Sequence, residues 1–336
     1  MTTPEIPVVQ ECAQPLGRPI ECGITVIATL KNEANAVGPY LRALAAQTYT
    51  PDAVILVDGG SEDGTVARIG AECPPSLAVT VRTLPGANRS AGRNAAIRMA
   101  TTPLIACTDV GSLPAPGWLA ALLRPFEVDP ATDVVAGFYA PDLPGTRLQD
   151  AMSALVCPRP QDVDPARWVP SARSLGFRRS AWKAVGGFPE ECWHNEDTPF
   201  VLRLRRARLC FAFAPEAVVR WSPQPTARTL WRQYARYGRG DGQGLLYPRQ
   251  HAIMATAYLG PLAVATMGSR RIRAPIVAGG VWGIYCWMRT RKAWHRLHSG
   301  RSAPLLPIAL ALFDLASIKG YLAGLLDRCS GTSRLK

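Results

Sequence analysis

Acidic residues stand at four places where a fold could use them for chemistry. Glu33, Asp58 and Asp109 each follow closely on a short apolar run rich in β-formers, at Ile24–Leu30, 53–57 and 103–107. A carboxylate just beyond a strand end can accept several hydrogen bonds at once or ligate a cation. Gly59 and Gly60 follow Asp58, and Gly111 follows Asp109. Any one such acid is a common turn or cap residue. Three at strand ends, two of them beside glycines, indicate a ligand site. The fourth place is the pair Glu196 and Asp197. It precedes the apolar-periodic residues Phe200, Val201 and Leu204 and so reads as the start of a helix.

The elements that would carry these acids alternate. Helical patterns run through Val37, Leu41, Leu44 and Ala45, over 65–69, and over 90–100. Strands are expected at 24–30, 53–57, 77–84 and 103–107. Strands alternating with helices predict an α/β fold, Rossmann-like, with a mostly parallel sheet covered on both faces. Ligands in such sheets collect beyond the carboxyl ends of strands. Trp118, in a Pro-Gly-Trp-Leu segment, reads as a core residue. The segment 141–170 is rich in proline, lacks periodicity, and is expected to be a flexible loop.

The chain has 336 residues, 48% of them apolar and 19% charged, with a mean hydropathy of +0.02. That composition excludes a disordered chain, and the modest hydropathy argues against a many-span transporter. The nine cysteines are scattered with no CxxC pair, so a structural zinc site is not expected and reduced thiols are. The first twenty residues lack a signal-peptide pattern, so the N-terminal part is expected to stay in the cytoplasm. The net charge of +13 has a location, since the many cations from Arg220 to Arg301 face only Asp241. Between them lie apolar stretches at 251–268, 274–288 and 303–326, the last carrying Asp314 and Lys319. Cations alternating with apolar stretches fit a membrane surface, and no nucleic-acid motif accompanies them.

Taken in order, these segments resemble the family 2 inverting glycosyltransferases, which have the GT-A nucleotide-sugar-binding fold. The likeness is carried by Thr29-Leu30-Lys31-Asn32-Glu33, Gln47-Thr48-Tyr49, Val57 through Thr65, Gly92-Arg93-Asn94 and Thr108-Asp109-Val110-Gly111. Further on it rests on Gly186-Gly187-Phe188, Asn195-Glu196-Asp197 and Gln233 through Tyr237.

The resemblance implies a role for each matching residue. Asp58 would contact the base and ribose of a nucleotide, with Gly60 in the tight turn beside it and Glu33 nearby. Arg93 would lie near the donor. Asp109 matches the first acid of the DxD motif that holds Mg²⁺ or Mn²⁺ on the donor diphosphate. Here the third position is Gly111, and Arg220 stands near where the family often has a histidine, so Arg220 could offset phosphate charge instead. Asp197 would be the catalytic base, with Glu196 as alternative base or capping residue. Gln233 and Arg236 fall in a run like the Gln-x-x-Arg-Trp motif of processive synthases, with Tyr237 in place of Trp. Arg232, Arg236 and Arg239 recur at helical spacing, so an interfacial helix explains that run equally well.

The implied organisation is a tail over 1–20, a GT-A domain over 21–225, a basic interfacial helix region over 226–250 and membrane-associated helices over 251–330. The implied activity is inverting transfer of a sugar from a nucleotide-diphosphate sugar to a lipid-linked or envelope-glycan acceptor. It would take place at the cell membrane with the catalytic domain in the cytoplasm. A non-catalytic nucleotide-sugar-binding subunit of a glycan-synthesis complex is the alternative, suggested by Gly111.

Overall fold

The computed structural model describes residues 23–330, apart from Pro144 and residues 268–272. The tail expected over 1–20 lies outside the described residues. Two compact units emerge, one built from residues 23–140 and 160–221, the other from 141–159 and 222–330.

The first unit holds an eight-stranded sheet. Its strands are β1 (Ile24–Leu30), β2 (Ala53–Asp58), β3 (Val79–Thr83), β4 (Leu104–Cys107), β5 (Leu113–Pro114), β6 (Val134–Pro141), β7 (Leu175–Arg178) and β8 (Phe211–Trp221). The order across the sheet is β3-β2-β1-β4-β7-β6-β8-β5. Strands β1 to β4 pair in parallel, whereas β7 runs antiparallel to β4 and to β6. The expected α/β architecture is therefore present, with an antiparallel extension beyond β4.

Side chains of β1 alternate between two cores, as the period of two requires. Ile24, Val26, Ala28 and Leu30 join Val37, Tyr40 and Leu41 of α1 (Ala34–Ala45) and Trp118 and Phe126 of α4 (Trp118–Val128). Ile27 faces the other way, with Ile55 and Val57, Ile97 of α3 (Arg89–Met99), and Phe200 and Leu204 of α7 (Asp197–Arg206). Both faces are thus covered, and the strand ends are left for a site. Trp118 is fully buried, and its indole Nε1 donates to Ser174 Oγ at 2.9 Å.

The second unit is helical. The expectation of a flexible loop over 141–170 is corrected in part, because α5 (Arg147–Val156) forms inside it. Thr146 and Gln149 close a capping box that starts this helix, which offsets the proline-rich flanks. Asp150 of α5 accepts from the backbone amides of His298 and Ser299 at 2.9 and 3.0 Å. That tie, and the burial of Ala151 and Met152 with Leu230, Leu306 and Ala309, place 141–159 with the C-terminal helices.

The remaining helices of this unit are α8 (Ala227–Gly244), α9 (Pro248–Met267), α10 (Arg273–Trp294) and α11 (Leu306–Cys329), while α2 (Thr65–Glu72) and α6 (Arg179–Ala184) belong to the first unit. Helices α8 and α11 meet through glycines at a spacing of four. A Cβ on Gly238 would lie 2.2 Å from the Ser317 carbonyl oxygen, and one on Gly320 would lie 2.1 Å from that of Ala235. Gly242 and Gly324 repeat the pattern one turn on. Only hydrogen at these four positions lets the backbones approach so closely. Arg239 then clamps Asp327 across the pair through Nε and Nη2, at 2.5 and 2.8 Å.

Candidate active site

The acids sit where the sheet topology brings strand ends together. Strands β2 and β4 flank β1, so Asp58 at the end of β2 and Asp109 just past β4 lie on either side of the turn after β1. A cleft of about 120 Å³ opens here, lined by Thr29, Lys31, Glu33, Gly59, Arg89 and Gly92 among others.

Asp58 is only 1% exposed, and its own turn engages its carboxylate. Oδ1 accepts from Ser61 Oγ at 2.5 Å, and Oδ2 accepts from the Gly60 and Ser61 amides at 3.1 and 3.0 Å. Its place in the structure is thus that of a turn builder, which sets the backbone of Gly59 and Gly60 at the cleft. Gly60 has φ of 89°, in the left-handed region. Glu33 is half-buried on the cleft wall. Burial, and then the nearby Asp109 charge, raise its carboxyl above the usual range.

Arg93 is the centre of the arrangement. It is 2% exposed, with Nη1 on Glu196 Oε1 and Nη2 on Asp109 Oδ1, the latter at 2.8 Å. One guanidinium on α3 therefore ties the strand-end acid to the Glu-Asp pair, far along the chain. Burial alone would raise the Asp109 carboxyl, but the Arg93, Arg173 and Arg89 charges outweigh it and hold the group below the usual carboxylate range. Burial also opposes the charge on Arg93, and the Glu196 and Asp109 carboxylates more than compensate, so its pKa is raised. Cys107 at the end of β4 is no nucleophile, since burial pushes its thiol up to about 12.

The neighbouring Asn94 performs a second anchoring. Its amide donates to the Phe188 carbonyl and to Glu190, at 2.9 and 2.8 Å, and its Oδ1 accepts from Trp182 Nε1 and the Phe188 amide, both at 2.9 Å. Gly187, with φ of 81°, passes so close that a Cβ would lie 2.8 Å from Asn94 Oδ1. The Arg-Asn and Gly-Gly-Phe segments are thus two halves of one clamp that positions the chain entering α7.

At the start of α7, Asp197 Oδ2 accepts from Ser171 Oγ at 2.9 Å and from the Ala172 amide at 3.1 Å, while Oδ1 accepts from the Thr198 amide at 2.9 Å. These bonds fix the carboxylate's orientation. A carboxylate offers about four acceptor positions, so capacity remains for a substrate hydroxyl. Glu196 is buried, with Oε1 on Arg93 and Oε2 without a hydrogen-bond partner among the described residues.

Ser171 and Arg173, which sequence reasoning did not single out, complete the cluster. Arg173 Nη1 donates to Ser171 Oγ at 3.0 Å, and its Nε lies 4.0 Å from Asp109 Oδ2. Its guanidinium sits 4.3 Å from the Trp221 ring centre. A cation two residues from a serine, ahead of a strand, carries no pattern that marks it out. Arg220 is exposed on β8, opposite Leu113 of β5. Gln233 and Arg236 belong to α8 in the helical unit. There Gln233 Nε2 donates to the Tyr237 hydroxyl at 3.2 Å, and Arg236 is exposed.

The fold is similar to that of a mannosyltransferase of Pyrobaculum calidifontis, PcManGT, solved with GDP-Man and Mn²⁺. It is 21% identical, with a TM-score of 0.57 over 94% of this chain and 89% of that one. This is the GT-A fold. Glycosyl transferase family 2 matches residues 25–186, glycosyl transferase family group 2 matches residues 160–316, and the chain belongs to glycosyltransferase family 2. It is 28% identical over 170 residues to the succinoglycan biosynthesis protein ExoA of Rhizobium meliloti, covering 48% of this chain and 49% of that protein. It is also 28% identical over 236 residues to the pre-mycofactocin glycosyltransferase of Mycobacterium tuberculosis, covering 67% and 48%. The chain spans about half the length of these two relatives.

The donor set constrains how a divalent cation would bind. Asp109 supplies one carboxylate, Gly111 faces open space, and no group of three His, Cys, Asp or Glu among the described residues is placed to hold a metal. These residues fit an ion that arrives with a diphosphate, whose oxygens and waters complete the shell.

Proposed function

We propose that the protein transfers a sugar from a nucleoside-diphosphate sugar to a hydroxyl acceptor in one inverting displacement. The observation that carries this reading is the Arg93 bridge, which holds Asp109 and the Glu196-Asp197 pair in one cluster beside the cleft. The nucleotide would lie over the turns after β1 and β2, against Glu33 and Gly59, with its diphosphate toward Asp109. Mg²⁺ or Mn²⁺, held by Asp109 and the phosphates, would supply positive charge to the departing diphosphate. Asp197 takes the proton of the acceptor hydroxyl as that oxygen bonds to the anomeric carbon. The bond from that carbon to the diphosphate oxygen breaks, and the nucleoside diphosphate leaves with the electron pair. Ser171 and the Ala172 amide hold Asp197 in register for this step.

The acceptor is proposed to be lipid-linked or an envelope glycan, met at the cytoplasmic face of the cell membrane. The helical unit supports this. The helical segment Gly300–Cys329 is long and apolar enough to cross a bilayer. Ile284, Trp287 and Met288 of α10 and Leu322 and Leu326 of α11 are exposed, and Arg228, Arg232 and Arg236 form an exposed basic row on α8. The part that ExoA's name assigns it in succinoglycan biosynthesis agrees with a glycan product.

The test supplies membranes bearing the protein with labelled nucleotide sugars and follows label into lipid and glycan fractions, with the product's anomeric configuration read by NMR. Transfer with inversion is expected. Retention of configuration refutes the single displacement, and nucleotide-sugar binding without any transfer favours a non-catalytic subunit.

A further inference from the structure

We propose that Arg173 is the protein's own cation for the donor diphosphate, so that phosphate recognition does not rest on a metal ion alone. The inference builds on the transferase reading above and names a residue for it. Among the described residues two guanidinium groups lie within 4.0 Å of the Asp109 carboxylate, and they differ in what they can reach. Arg93 is 2% exposed and enclosed between Glu196 and Asp109. Arg173 is 16% exposed, 4.0 Å from the other oxygen of the same carboxylate. A ligand entering beside Asp109 can therefore touch Arg173, whereas Arg93 stays behind the two acids.

The setting of Arg173 suits an oxyanion. Its guanidinium lies 4.3 Å from the Trp221 ring centre and 5.8 Å from that of Tyr139. Stacking on aromatic faces holds the planar fork in one orientation, which lowers the ordering cost when it meets a phosphate. It lies beside Asp109, which a metal ion or an incoming diphosphate would draw into a shared charge network. A nucleotide sugar brings two negative phosphates, and a further charge develops as the glycosidic bond breaks. Asp109 adds one more negative charge to the same place. One divalent ion leaves this excess uncompensated, and a fixed cation at Arg173 offsets part of it where the charge develops. We place the charge-offsetting task that the sequence suggested for Arg220 on Arg173, because the ring of Trp221 stacks on Arg173 and adjacent side chains of a strand point to opposite faces.

Arg173 is also coupled to the proposed base. Its Nη1 donates to Ser171 Oγ at 3.0 Å, and that hydroxyl donates to Asp197 Oδ2 at 2.9 Å. The three-residue segment from Ser171 to Arg173 therefore presents the leaving-group cation and orients the base together.

The experiment is calorimetric titration of the full-length protein, in detergent, with ADP, CDP, GDP, UDP and dTDP and their monophosphates, each with Mn²⁺ and with EDTA. Wild type is expected to retain measurable diphosphate binding in EDTA. Arg173→Met is expected to weaken the preferred diphosphate about tenfold or more, as for a lost charge-assisted bond, with and without Mn²⁺. Monophosphate affinity should change less than about twofold. Arg173→Lys, which keeps the charge, should recover part of the loss, and it guards against a fold defect in the Met variant. The proposal is overturned if Arg173→Met binds the diphosphate as wild type does, if it loses mono- and diphosphate equally, or if wild-type binding vanishes in EDTA. Failure of wild type to bind any nucleotide overturns the transferase reading itself, a result distinct from these.

Discussion

Replacing Arg93 by methionine tests the joint on which the site is built. The variant keeps most of the side-chain volume but leaves Asp109 and the buried Glu196 facing each other without their shared cation. Removing one partner of a buried ion pair costs roughly 3–5 kcal/mol, because the remaining charge is stranded. For a unit of this size each kcal/mol shifts the melting temperature by roughly 2–4 °C, so a fall of about 10 °C is expected at pH 7. The pH dependence has a definite sign. The Asp109 carboxyl is held below its ordinary 3.8, so its contribution is present above that value and is lost as the pH falls through the lowered one. The gap between wild type and Arg93→Met should therefore narrow below pH 3.8. Melting of the full chain in detergent, followed by tryptophan fluorescence at several pH values, reads both effects. Arg93→Lys, which can reach one acid but not fork to two, should fall between. A shift under about 2 °C at pH 7, or a gap that does not change with pH, would refute the bridge as the organiser of the site.

Other outcomes follow from the same geometry. Ser171→Ala removes a hydrogen bond to Asp197 and should lower kcat roughly tenfold with the donor KM little changed, measured by steady-state transfer. Glu33 has a carboxyl pKa raised by burial and then by Asp109. Its contribution to stability is present below the ordinary 4.5 and is lost as the pH rises through the raised value. Glu33→Gln should therefore melt higher than wild type at pH 7, and the difference should vanish below pH 4.5. Gly320→Ala puts a Cβ 2.1 Å from a backbone oxygen of α8 and should cost about 1–3 kcal/mol in a melting assay, whereas Gly283→Ala on α10 meets nothing within 4 Å and should be neutral or slightly stabilising.

The parallel half of the sheet was legible because its strands are short apolar runs set between helical periods, and β1 and β4 fall where those runs lie. The antiparallel strands were harder to see. Strand β7 has only four residues, and β8 carries Pro215 and Glu216 within its run. Helix α5 hid behind prolines, although Thr146 and Gln149 spell a capping box three residues apart. The acids of the site could be named from the sequence, but their partners could not. Asp58 turns inward to its own loop, which depends on Ser61 and Gly60 donating to it. Arg173 acquires its setting from Trp221 and Tyr139, which only the folded sheet brings beside it. The glycine pairs of α8 and α11 carry a readable four-residue spacing, but their meeting requires knowing which helices pack.

The most direct measurement compares Asp197→Asn with wild type in two assays on the same preparation, nucleoside-diphosphate binding by calorimetry and sugar transfer to a hydroxyl acceptor. An amide can keep the hydrogen bond from Ser171 but cannot take a proton, so binding should persist while transfer falls by at least about a hundredfold. Transfer at near wild-type rate in the Asn variant would contradict the assignment of Asp197 as the base and the mechanism built on it.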